Sequence, residues 1–97
     1  MAQINIYKDC ESTKPSKTYT CNRLLLNAAQ RAAKLAEDME GKSYTEQIKM
    51  IGEIVKAVFP QVTDDEIELI DITELKAFFK DIMQMAAGNL DNAQKNL

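Results

Sequence analysis

Apolar and polar residues alternate in two short stretches near the start of the chain, then recur at helical spacing through the rest. In QINIY (3–7), Ile4 and Ile6 point one way and Asn5 and Tyr7 the other, which predicts a half-buried strand. KDCESTKPS (8–16) is polar and holds Pro15, so it reads as a loop. KTYTC (17–21) alternates again and is rich in Thr and Tyr, which suit a pleated backbone. The simplest arrangement is a β-hairpin with a long loop. A two-stranded hairpin is marginal in water, so its apolar face is expected against the helices.

The first helix is predicted from about Arg23 to Met39, with Asn22 or Thr20 as its cap. Leu24, Leu25, Ala28, Ala29, Ala32, Leu35, Ala36 and Met39 form its apolar stripe, and Leu26 and Ala33 fall outside it. Gly41 is placed to end it. Ser43 and Glu46 form a capping-box pattern that opens a second helix. Its predicted apolar face is Ile48, Ile51, Val55, Val58 and Phe59, with Tyr44 on the same side. Glu46, Lys49, Glu53 and Lys56 make the opposite face, and Pro60 stops the helix. Thr63 with Glu66 opens a short helix through about Ile70. Asp71 with Glu74 opens a further helix over 72–87, with Leu75, Phe78, Phe79, Ile82 and Ala86 on one face. Gly88 is expected to close it, leaving 89–97 as a frayed tail. The fold class that follows is mainly α (α+β): a small bundle of three to four helices with an N-terminal β-hairpin or short strands. The expected organisation is one domain over 1–97, with a hairpin region (1–21), a helical core (22–88) and a flexible tail (89–97).

Composition narrows the function classes. The net charge is −3 and the pI about 4.9, and Lys and Arg are scattered. That argues against a nucleic-acid partner, which needs a basic surface. No apolar stretch reaches the ~20 residues of a membrane span. MAQINIYKD lacks the basic and apolar regions of a signal peptide, so an unexported chain is expected. Cys10 and Cys21 then read as free thiols, although a hairpin leaves a disulfide between them open. Two cysteines without a histidine fall short of a zinc site.

Without histidine there is no Ser-His-Asp or Cys-His arrangement, and the isolated glycines form no phosphate loop. The run Asp64, Asp65, Glu66, Glu68 and Asp71 invites a metal or carboxylate-pair reading. Acids in the first turn of a helix are the better account, because they complement its dipole. We therefore expect no catalytic residues, no metal, no cofactor and no enzyme. Phe59, Phe78 and Phe79 read as core. The apolar residues that fit no stripe well, Leu26, Met50, Leu69, Met83 and Met85, are the candidates for contact with a partner.

The segment Ile51 to Met83, which includes IVKAVFPQVTDDEIELIDITELKAFFKDIM, resembles tail assembly chaperones of long, non-contractile-tailed bacteriophages and prophages. The shared pattern is an amphipathic helix ending at Phe-Pro, a short acidic helix opened by Thr-x-x-Glu, and an Asp-x-x-Glu-Leu helix. The N-terminal hairpin has no counterpart in that pattern. The resemblance implies a non-enzymatic protein of the bacterial cytoplasm, not retained in the mature virion. It would bind the tape measure protein and keep it soluble while tail tube subunits polymerise. The family also implies a longer, frameshifted product that recruits tail tube protein. Gln94-Lys95-Asn96 can be encoded CAA AAA AAC, which contains a slippery A AAA AAC heptamer. The alternatives are a head–tail connector or minor tail protein that stays in the particle, or a generic helical adaptor. Apolar stripes on every helix permit a homo-oligomer as readily as a self-contained core.

Overall fold

The computed structural model describes residues 1–95, with side chains described through Ala87. Two strands, β1 (Ala2–Ile6) and β2 (Lys17–Cys21), precede four helices, α1 (Leu26–Asp38), α2 (Tyr44–Val58), α3 (Asp64–Ile67) and α4 (Ile72–Lys95). The architecture is mainly α with an N-terminal hairpin, as the pattern of residues predicts. β1 and β2 pair antiparallel, with Ala2 opposite Cys21 and Ile4 opposite Tyr19. Period-2 alternation then puts Ala2, Ile4, Ile6, Tyr19 and Cys21 on one buried face. That face joins Ile54, Val55, Phe59, Val62, Leu75, Phe78 and Ile82 in a single cluster. The rings of Tyr19, Phe59 and Phe78 follow one another at centroid distances of 5.5 and 5.9 Å. Both cysteines are free thiols, Cys10 exposed and Cys21 buried.

Three helix starts agree with their cap signals. The Ser43 hydroxyl accepts from the Glu46 N–H, and the Asp71 carboxylate from the Glu74 N–H. Thr63 and Glu66 form the full reciprocal box. Gly41, at φ 81°, takes the left-handed turn between α1 and α2. α2 stops at Val58, ahead of Pro60.

Six local expectations need correction. α1 begins at Leu26 instead of Arg23, with Leu25 at its cap position and no side-chain cap. Thr20 and Cys21 are still paired to β1, so the chain must leave the sheet before it can coil. Leu25, assigned to the stripe, is consequently exposed. Tyr44 is also exposed and lies beneath the Lys76 ammonium, 5.0 Å from the ring centroid. Ile54, missing from the predicted face of α2, is fully buried. α3 stops at Ile67, short of Ile70. Finally, α4 does not close at Gly88 but continues to Lys95. A glycine ends a helix when the chain turns left-handed there. NLDNAQK beyond Gly88 has no proline and no new apolar run to pull the chain aside, and Ala, Gln and Lys sustain a helix. Residues 96 and 97 of the expected tail, and Asn96 of the slip-site triplet, lie outside the described residues.

Candidate protein-docking surface

The link between α3 and α4, Glu68 to Asp71, stands between two depressions. It is held in place by a small set of polar bonds. The Tyr7 N–H donates to the Leu69 carbonyl at 3.0 Å, tying the end of β1 to the link. Asn5 donates to the Glu74 carboxylate at 2.8 Å and accepts from the Thr18 hydroxyl at 2.7 Å. Glu66 receives the Thr63 N–H and the Tyr19 hydroxyl on one oxygen and faces the Lys17 ammonium at 3.4 Å with the other. Folding therefore holds the Glu66 carboxyl below its ordinary pKa, first through the Thr63 N–H and then the Tyr19 hydroxyl; partial burial opposes them, and Lys17 adds to the lowering. Lys17 is held above its ordinary value, first by Tyr19, over whose ring it lies at 4.9 Å, and then by Glu66.

On one side of the link is a groove of about 780 Å³ between α2, α3 and the start of α4. Ile48, Gly52, Ile67, Ile70, Ile72 and Leu75 give it an apolar lining. Arg31, Lys49 and Lys56 supply positive charge, and Glu53, Asp64 and Glu68 negative charge. An ion pair between Lys56 and Asp64 ties α2 to α3 beside the groove. Gly52 lets α3 approach α2: a Cβ there would lie 3.2 Å from the Ile67 Cγ2. A glycine in the middle of a strong helical pattern costs about 1 kcal/mol relative to Ala, which was the available signal for a close approach.

On the other side is a cleft of about 690 Å³ between the hairpin loop and the link. Tyr7, Asp9, Cys10, Ser12 and Thr13 form one wall, and Glu68 to Ile72 with Glu74 the other. The Tyr7 phenol is held above its ordinary pKa, first by its approach to the Glu74 carboxylate, then by partial burial and by the charges of Glu74 and Asp71. Glu68, Ile70 and Ile72 line both depressions, so the link is a wall shared by the groove and the cleft.

The structure separates the five candidate contact residues. Leu26 is 73% exposed at the start of α1. Leu69 is 41% exposed on the link and lines the cleft. Met50 is half-buried in a shallow depression between α1 and α2. Met83 and Met85 are half-buried and packed against the core. The groove lining was not among these candidates, because Ile48, Ile70 and Leu75 look like ordinary core positions until the short α3 leaves a gap beside them.

Among the described residues, no group of three or more His, Cys, Asp or Glu is placed to hold a metal ion. No helix among them is long and apolar enough to cross a membrane. No family model, no curated protein and no solved structure matches the chain.

Proposed function

We propose that the protein is a non-enzymatic tail assembly chaperone that binds the tape measure protein and keeps it soluble while the tail tube forms. One structural observation supports the reading: the apolar groove between α2, α3 and α4, whose mixed-charge border suits an amphipathic helix laid along it. The stretch of α2 that lines the groove, Ile48 to Lys56, offers about two helical turns, the length over which a partner helix presents anchors at i, i+4 and i+7. The identity of the partner rests on the sequence resemblance of Ile51 to Met83. A tape measure protein is long and largely helical, and its apolar stripes need cover before the tube encloses them.

Co-expression tests the proposal. Under this reading, a tape measure protein from the same genome should move from the insoluble to the soluble fraction when the protein is present, and should co-elute with it. Ile72→Glu, at a 42% exposed position, should remove co-elution without lowering the melting temperature. A tape measure product that stays insoluble despite ample folded protein overturns the reading.

A further inference from the structure

We infer that the surface across the α3–α4 link docks a basic, apolar segment of a partner protein. Leu69 and Ile72 are its apolar contacts, and the carboxylates of the hairpin cleft are its charge complement. This rests on the reading of the chain as a binding protein and adds the charge of what it binds.

Two of the large exposed apolar side chains, Leu69 on the link and Ile72 at the start of α4, stand three positions apart and line the same cleft. Side chains of this kind attract any apolar surface and do not by themselves select a partner. The charge around them does. The cleft lining holds four carboxylates, Asp9, Glu68, Asp71 and Glu74, and no Lys or Arg. Lys8 and Lys14 belong to the same loop but do not line it.

Three of the acids have local roles, and their hydrogen bonds come from neutral donors. Asp9 receives the Glu11 N–H and the Ser12 hydroxyl. Asp71 receives the Glu74 N–H, and Glu74 the Asn5 amide. These bonds fix the carboxylates in place without cancelling their charge. Among the described residues no ion pair reaches any of the four. The raised pKa of Tyr7 is consistent with a negative local potential. An acidic segment would be repelled here, and a neutral one would gain only the apolar contact. A segment with Lys or Arg beside its apolar residues would neutralise the cleft. Ile70 and Ile72 also line the groove, so a segment seated over the link meets apolar side chains toward the groove and carboxylates toward the cleft.

The test uses the full chain and two fluorescent synthetic helical peptides with the same leucine pattern, one with Lys and one with Glu at the polar positions. Anisotropy at low ionic strength should show the Lys peptide binding about tenfold more tightly, with the preference shrinking at physiological salt as screening sets in. Glu68→Lys should weaken the Lys peptide about fivefold. Glu37→Lys, in the depression between α1 and α2, should change it by less than about twofold. Leu69→Ser provides a second variant that leaves the charges intact and should weaken binding of the Lys peptide. Equal affinity for the two peptides, or equal loss from Glu68→Lys and Glu37→Lys, overturns the inference. A chain that solubilises the tape measure product but shows no Lys preference keeps the proposed function and loses this inference. The reverse result keeps this inference and loses that function.

Discussion

Phe78, Ile4, Ile54, Ile82 and Val55 are the largest fully buried side chains. Phe78→Ala should therefore destabilise by about 3–5 kcal/mol, measured by urea denaturation, whereas Leu69→Ala should stay within about 0.5 kcal/mol. Gly52 presents a different limit. Leucine there would drive into Ile67, and Gly52→Leu should destabilise by about 1–3 kcal/mol. Adding Ile67→Ala should restore part of that, so a double-mutant cycle should be non-additive. At Glu66 the effect depends on pH. Its folded pKa lies below the ordinary 4.5, so its stabilisation is present above about pH 4.5 and is lost as pH falls through the folded value. The melting temperature of the parent protein should exceed that of Glu66→Gln at about pH 6, and the gap should close toward about pH 3. A gap independent of pH would remove the carboxylate's charge from the explanation. These residue-scale roles were only partly legible. Ile4, Ile6 and Phe78 follow from period alone, but Ile54 lies at the edge of the α2 stripe, and only the arrival of the hairpin and α4 makes that edge interior.

At the scale of elements, the caps were readable because they are local chemistry. A Ser, Thr or Asp three residues before a Glu satisfies backbone N–H groups whatever the rest of the chain does. The three are not equivalent in the fold. Thr63 caps α3 in the full box, and its Glu66 partner also holds Tyr19 and Lys17 of β2. Thr63→Ala should cost about 1 kcal/mol or somewhat more, and should exceed Ser43→Ala, whose cap lacks the return bond. Urea midpoints of the two variants give the comparison, and a larger loss from Ser43→Ala would contradict it. Element boundaries were less legible. The start of α1 is set by how far β2 pairs with β1, and the end of α4 by the lack of any turn after Gly88. Both depend on neighbours that a local pattern does not contain.

The hairpin and the helices share one apolar cluster at the scale of the whole molecule, which ties the hairpin's stability to that of the helices. Far-UV circular dichroism, which follows the helices, and fluorescence of a Tyr7→Phe, Tyr44→Phe double variant, whose one remaining tyrosine is the buried Tyr19 beside Phe59, should melt at the same temperature. Earlier loss of the tyrosine signal would mean that the hairpin detaches on its own. The sequence by itself determined the secondary-structure types, the buried face of the hairpin, three helix starts and the acidic, helical character of the chain. Each of these follows from spacing or from bonds between residues three or four apart. The tertiary structure alone decided the rest. The groove exists because Gly52 admits Ile67 while the one-turn α3 leaves Ile48 and Ile70 half-buried beside it. The acidic cleft exists because Tyr7 draws the link against the hairpin loop and sets Asp9 opposite Glu68, Asp71 and Glu74. Those carboxylates are about sixty positions apart in the chain, and no periodicity spans that distance. Only packing in three dimensions places them around Leu69 and Ile72, turning two ordinary exposed residues into a surface with a preferred charge.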